Sequence, residues 1–405
     1  MKILVISQFF WPENFHINLI CKNLSGNKHN ITILTSFPNY PNYEIYEKYF
    51  KNKKNLNKFY NCRVLRLPTI FFGKSTMRYV LNYLSFLFTA STLGLWKIRK
   101  ENYDIVLVYQ TSPATVIIPA LIYKKINKVP VIAWVLDLWP DTLISMRNVN
   151  NKIIVKILKI LMNKIYTRCD LLLGQSKSMT RKIKQRFKGR VDCHYFPSIY
   201  INPKPSKSLL TLKKMKINKN NFNIFFTGNI GEAQDFETIL NAAKLLDNEK
   251  NIKFYIVGTG NKIDWLKEKI LEEKLNKNIK LLGHYPEKDM GFFYNAADAL
   301  LVSLKSFEIF EKTVPGKIQS YLWAGKPIIA SISGEASEII KKSNSGLTNP
   351  SGNFKLLAKN ILKLSLLTKK DLKKLGNNGI KYAKKNYNEK KVVKQLEKYM
   401  ADIIN

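Results

Sequence analysis

Thr313-Val314-Pro315-Gly316-Lys317-Ile318-Gln319-Ser320-Tyr321-Leu322-Trp323-Ala324-Gly325-Lys326-Pro327 decides how the rest of the chain is read. The Pro-Gly pair opens an amphipathic helix. Gly-Lys-Pro closes it and leads into Ile328-Ile329-Ala330, a short apolar run that reads as a strand. A helix start after a Pro-Gly turn presents unpaired backbone N–H groups and the positive end of the helix dipole, which together suit a phosphate. Lys317 adds a full positive charge in the first turn. There it opposes the dipole unless an anion is bound. A solvated first-turn lysine is the alternative reading.

On both sides of this stretch the chain repeats a strand-then-helix rhythm. Short apolar runs predict strands at 2–7, 30–35, 62–67, 105–109, 131–135 and 171–174, and helical segments separate them. That pattern predicts a parallel sheet covered on both faces. A polar stretch over 201–216, with Pro203, Pro205 and several lysines, reads as a linker. A second α/β rhythm follows, with strands predicted at 223–227, 253–258, 279–282, 299–302 and 327–330. From Lys355 onward the chain reads as helix with an exposed lysine face. The expectation is an α/β protein of two doubly wound, Rossmann-like domains facing a central cleft.

Composition narrows the function classes. The 405 residues carry 67 Lys and Arg against 29 Asp and Glu, a formal charge of +38, yet 45% are hydrophobic, so a disordered polycation is excluded. The excess charge is spread along the chain and reads first as compositional bias, with attraction to polyanionic partners as the functional alternative. Cys21, Cys62, Cys169 and Cys193 are scattered and His16, His29, His194 and His284 form no ligand pairs, so no metal site is expected. Met1–Ser7 is too short an apolar run for a signal peptide and reads as a first buried strand.

Two segments read as membrane contacts. The run from Met77 to Trp96 is nearly all apolar, with Arg78 at its start and Lys97, Arg99 and Lys100 after it. A membrane span needs about 20 apolar residues. Asn82 interrupts the run, so a span, a buried crossover helix and an interfacial helix all stay open. In 152–166, Lys152, Lys156 and Lys159 fall on one helical face beside Ile, Leu and Val. A packed helix with a solvated lysine stripe and a contact with anionic lipid are both compatible with it.

Four turn-rich loops follow the predicted strands: Trp11-Pro12-Glu13-Asn14-Phe15-His16-Ile17-Asn18, Phe37-Pro38-Asn39-Tyr40-Pro41, Gln110-Thr111-Ser112-Pro113 and Asp137-Leu138-Trp139-Pro140-Asp141. Ligands of doubly wound sheets lie at the carboxyl ends of strands, so these loops are expected to converge on one edge. Gly258-Thr259-Gly260 lacks the third glycine of a dinucleotide fingerprint and reads as a tight turn. Phe9, Phe10, Trp11, Phe71 and Phe72 lie near basic residues, but no nucleic-acid motif accompanies them, so no nucleic-acid partner is expected.

Through Pro12-Glu13, the Phe37 and Asp137 loops, Thr227-Gly228-Asn229-Ile230-Gly231, Ile256-Val257-Gly258 and Pro315-Gly316-Lys317, nearly the whole chain resembles family-4 glycosyltransferases of the GT-B fold. Its nearest likeness is to the bacterial subgroup of lipopolysaccharide and capsule assembly that includes N-acetyl-L-fucosamine transferases. The resemblance implies an acceptor domain over 1–200, a donor domain over 201–385 and a C-terminal helix over 386–405 that crosses back to the first domain. It implies sugar transfer from a nucleotide diphosphate sugar with retention of anomeric configuration. Carried over by residue, Pro315, Gly316 and Lys317 bind the diphosphate, and Gly228, Asn229 and Gly231 form a loop near the phosphates. Gly283, His284 and Tyr285 frame the base. Glu13 and Asn14 lie near the diphosphate or the acceptor. Asp137 takes a position beside the reacting sugar, with a helix cap as its other reading.

The departing nucleoside diphosphate gains negative charge, which fixed N–H groups and Lys317 can stabilise. No Asp-x-Asp pair is present to hold Mg²⁺, so metal-independent chemistry and no cofactor beyond the UDP-sugar substrate are expected. The chain departs from the family pattern where two glutamates are usual: Lys312 and Ser320 stand there. Ser320 offers the ribose only a neutral hydrogen bond. Asn229 and Gln234 stand where an Arg and a Lys are common, and Lys317 and Lys312 are candidates to supply the missing charge. The resemblance implies a peripheral enzyme on the cytoplasmic face of the bacterial inner membrane. Its implied partners are a UDP-linked N-acetylamino sugar, a polyprenyl diphosphate-linked acceptor and the anionic membrane surface. A nucleotide-sugar 2-epimerase-like GT-B enzyme and a donor-binding subunit without turnover remain alternatives.

Overall fold

The protein is described by a computed structural model covering residues 1–40, 47–51, 56–73, 75–147, 151–200 and 211–405. Pro41 of the second strand-end loop and positions 201–210 of the predicted linker lie outside the described residues. The chain divides into two compact units, Met1–Ile199 with Glu389–Asn405, and Tyr200–Asn388.

The first unit holds β1 (Lys2–Ile6), β2 (Asn30–Ser36), β3 (Lys58–Phe59), β4 (Cys62–Leu67), β5 (Ile105–Gln110), β6 (Val131–Val135), β7 (Leu171–Gly174) and β8 (Asp192–Tyr195). They form one sheet in the order β3-β4-β2-β1-β5-β6-β7-β8. Every pairing is parallel except the β3–β4 edge. The central strands are apolar runs because helices cover both faces: β5 and β6 are buried at every position. The edges β3 and β8 are short and polar, since an edge strand needs only one buried face. One core joins Ile3, Val5, Ile33, Leu107 and Trp134 to Val392, Val393, Leu396 and Met400 of the last helix, Glu389–Ile404. Glu389 and Glu397 of that helix accept hydrogen bonds from Asn23 of the first helix, His16–Gly26, and from Asn27 at its C-terminal cap.

The second unit is a six-stranded, all-parallel sheet: β9 (Phe222–Thr227), β10 (Ile252–Val257), β11 (Ile279–Gly283), β12 (Ala299–Ser303), β13 (Ile328–Ser331) and β14 (Gly346–Asn349). Its order is β11-β10-β9-β12-β13-β14. In each sheet the winding reverses direction once, between β1 and β5 and between β9 and β12. Loops leaving the carboxyl ends of such strands diverge to opposite faces and leave a crevice at that edge.

The predicted apolar helix 77–96 is three segments: Thr76–Thr89, a π-helical Ala90–Gly94, and Leu95–Ile98. Among the described residues no helix is long and apolar enough to cross a membrane.

Candidate functional site

In the second unit, β9 ends at Thr227 and the next residue is Gly228, with φ of 119°. Only glycine adopts that conformation without strain. Its N–H donates to Val257 O at 2.8 Å, and Gly258 N–H donates to Gly283 O at 2.8 Å. The ends of β9, β10 and β11 are thus stitched together by glycines. A Cβ on Gly258 would lie 1.9 Å from Gly228 O, so the two backbones touch with no room for a side chain. The loop continues through Asn229 and Gly231, whose N–H donates to Gln234 Oε1 at 3.1 Å. Gln234 therefore braces the loop where a cation was sought. Lys262 and Lys305 both pair with Glu232 on the same loop and bring positive charge to it.

The helix Gly316–Ala324 lies between β12 and β13, and β12 neighbours β9 where the winding reverses; Pro315 is the helix N-cap. No side chain caps it, so its first amides lack a side-chain partner. Gly316 is required by packing: a Cβ there would lie 2.0 Å from the Tyr200 hydroxyl oxygen. Lys317 turns back over the β9 loop. A Cβ on Gly228 would meet Lys317 Cε at 2.8 Å. Lys317 Nζ lies 3.6 Å from the centre of the Phe226 ring, a cation–π contact.

Part of the Lys317 stem reaches solvent, but its Nζ is buried and among the described residues has no hydrogen-bond partner. Burial alone pushes the ammonium down to about 7. A buried cation without a counter-charge is costly, and an arriving anion would relieve the cost. Lys312 is otherwise engaged, since its ammonium pairs with Glu308.

Ser320 lies one turn along the helix and donates to Gly316 O at 3.3 Å. It also bonds the hydroxyls of Tyr200 and Tyr294, whose protons burial holds above the usual phenol range. Tyr321 donates to Thr227 O, and its own oxygen accepts from Thr227 N at 2.9 Å. These tyrosines carried no local sequence signal; only the fold gathers them. Gly283 and His284 are exposed at the end of β11, and Tyr285 is half-buried, its ring 4.8 Å from Phe293 and its hydroxyl 3.6 Å from Met215 Sδ.

Glu13, Asn14 and Asp137 belong to the first unit. Glu13 is fully buried. Its Oε1 accepts from the amides of Asn39 (2.8 Å) and Tyr40 (2.7 Å), and its Oε2 accepts from Phe10 N–H (3.1 Å). Burial pushes the carboxyl up to about 7, against the pull of those amides and of Arg66. Arg66 in turn donates to Ser36 O at 2.8 Å and to Trp11 O. Glu13 and Arg66 therefore tie the loop after β1 to the loop after β2. Asn14 is exposed. Asn82 extends this network: it donates to Asn39 Oδ1 at 3.0 Å and accepts from Gln8 Nε2 at 2.6 Å.

Asp137 accepts from Ser112 Oγ at 2.9 Å, and Ser112 Oγ accepts from Trp139 Nε1 at 3.0 Å. Gln110 Nε2 donates to Asp137 O at 2.9 Å, and Gln110 Oε1 accepts from Tyr166. Burial holds the Asp137 carboxyl above its usual range despite the Ser112 bond. The loops after β5 and β6 are thereby locked to each other, with the Asp137 side chain held by a neutral donor.

Residues 210–382 match the family model "Glycosyl transferases group 1". The probable glycosyltransferase WbjE of Pseudomonas aeruginosa is 28% identical over 317 residues, 75% of each chain. The amylovoran biosynthesis glycosyltransferase AmsK of Erwinia amylovora is 25% identical over 144 residues, 35% of each chain. The crystal structure of Anabaena HepE in complex with UDP superimposes with a TM-score of 0.72 at 14% identity, over 99% of this chain and 100% of that one. At that identity the likeness establishes the fold, which is GT-B.

Proposed function

With a group 1 glycosyltransferase domain in a GT-B chain as the premise, we propose that this protein is a retaining, metal-independent glycosyltransferase. It moves an N-acetylamino sugar from a UDP-sugar to a polyprenyl diphosphate-linked acceptor. The reaction belongs to surface-polysaccharide assembly, on the cytoplasmic face of the bacterial inner membrane. The observation that carries the reading is Lys317: a buried ammonium with no hydrogen-bond partner among the described residues, over the Gly228 loop, in the first turn of a helix without a side-chain cap. Together these are the parts of a diphosphate site.

Lys317 and the first amides of the helix take up the charge that develops on the departing UDP. The glycines of the β9 loop let the diphosphate approach the backbone closely. Ser320 and its two tyrosine hydroxyls meet the ribose in place of a carboxylate, and His284 and Tyr285 border the base. Asp137 is assigned to hydrogen bonding with the transferred sugar, its carboxylate held in the first unit by the neutral donor Ser112. Glu13 shapes the strand-end loops of the acceptor unit. The UDP donor is supported by HepE, solved with UDP, and the pathway class by AmsK, named for amylovoran biosynthesis.

The test is a panel of UDP-sugars offered with a synthetic polyprenyl diphosphate-linked acceptor, with products read by mass spectrometry and NMR. Acceptor-dependent UDP release and an acceptor heavier by one N-acetylhexosamine-type unit, with the donor's anomeric configuration kept, are expected. UDP release or donor epimerisation that ignores the acceptor would overturn the reading.

A further inference from the structure

The first unit carries two helices whose apolar faces point the wrong way for a protein surrounded by water. In Thr76–Thr89 the inward positions hold Asn82, fully buried in the network with Gln8 and Asn39, and Phe86. The outward positions hold Met77, Leu84 and Phe88, with Phe88 69% exposed. In Lys152–Tyr166 the inward residues are Met162, Ile165 and Tyr166. The outward ones include Ile153, Ile157 and Ile160, with Ile153 70% exposed. Each outward set recurs at helical spacing and so forms a stripe. Both helices pack against the same short turn, Ala114–Ile117, which brings them to one region of the first unit. An exposed apolar stripe along a helix marks an interaction site.

Charge selects the occupant. Lys152, Lys156 and Lys159 are exposed alongside the isoleucine stripe. Beyond the first helix, Lys97, Arg99 and Lys100 are exposed, and Arg99 stacks 4.3 Å from the Trp96 ring. A second copy of this chain would bring the same lysines and a charge of +38 against itself, which repels. An apolar stripe bordered by lysines and a tryptophan–arginine pair matches the boundary between acyl chains and anionic headgroups.

We propose that these two helices together form a docking surface for an anionic phospholipid bilayer, with the isoleucine and phenylalanine stripes in the acyl boundary and the lysines on the headgroups. The surface gives the peripheral location proposed above a physical seat. It relies on that reading only for which leaflet is met.

The experiment is flotation of the full chain with vesicles of phosphatidylcholine, with and without about one-third phosphatidylglycerol. Binding to the anionic vesicles alone is expected. Replacing Lys152, Lys156 and Lys159 with Gln should weaken it by about a hundredfold, at roughly one factor of five per lysine. Phe88→Glu combined with Ile157→Glu should abolish it. Binding of UDP-sugar, measured in parallel on each variant, should be unchanged and shows that the variants are folded. Equal binding to both vesicle types, no binding by the wild type, or variants that bind like wild type would each overturn the proposal. So would a dimer in sedimentation that the Phe88→Glu/Ile157→Glu variant dissolves. No vesicle binding by the wild type, with its donor binding intact, defeats this inference alone, whereas vesicle binding without acceptor-dependent transfer defeats only the transfer reaction.

Discussion

The strongest quantitative consequence of the Lys317 geometry is a pH dependence of donor binding. Free, the buried ammonium titrates at about 7, because burial penalises its charge and, among the described residues, no hydrogen bond offsets the penalty. Seated against a diphosphate, it gains hydrogen bonds and a counter-charge, so its pKa returns to the ordinary lysine range near 10.5 or above. Binding therefore takes up a proton above pH 7, and the dissociation constant rises about tenfold for each pH unit beyond it. By about pH 9 the loss is about a hundredfold, roughly 3 kcal/mol. The assay is isothermal titration with an intact nucleotide sugar, whose diphosphate diester keeps its charge across this window. Two buffers of different ionisation enthalpy reveal the proton uptake. Lys317→Met, close in volume but uncharged, should bind weakly and flatten the profile. An affinity that stays level from pH 6 to about pH 9, or a slope that survives in Lys317→Met, would refute the reasoning.

Four further outcomes are expected. Folding stability should rise with pH from about 7 towards the lysine range, because over that window the unfolded chain holds a proton that folded Lys317 has lost; Lys317→Met should remove this rise in denaturant melts. Glu13→Ala should destabilise the fold by about 3 kcal/mol, because it strands three buried amides and leaves Arg66 without its carboxylate, as chemical denaturation would show. Gly228→Ala forces a side chain into positive φ and onto Lys317 Cε, so UDP-sugar affinity should fall at least about tenfold while circular dichroism stays native. Leu396→Ala, in the core of the first unit, should cost about 2–5 kcal/mol in thermal or denaturant unfolding.

Much of the fold was legible because the central strands are buried on both faces. A run such as Ile105-Val106-Leu107-Val108 has few other readings. The edge strands Lys58–Phe59, Asp192–Tyr195 and Gly346–Asn349 escaped because they are short and expose polar positions, so periodicity had nothing to register. Asn82 interrupts an apolar run in the sequence but is fully buried, its amide spent on Gln8 and Asn39. The Pro315-Gly316-Lys317 turn was legible as a helix start because its chemistry is local. The direction of the Lys317 side chain was not, since it depends on Phe226 and Gly228, which the folded sheet supplies. Tyr200, which packs against Gly316, left no trace in the sequence for the same reason. For Glu13, the family resemblance implied a place near the diphosphate or the acceptor, and only tertiary structure shows both carboxylate oxygens engaged by backbone amides.

The central claim is that the Gly228 loop and the helix start at Gly316 hold the donor's diphosphate. A crystal structure of the protein with an unhydrolysed UDP-sugar measures it directly. The account predicts Lys317 Nζ within about 3 Å of a diphosphate oxygen, with amides of the first helical turn on the same group. A diphosphate bound elsewhere, with Nζ still resting on the Phe226 ring, would contradict it.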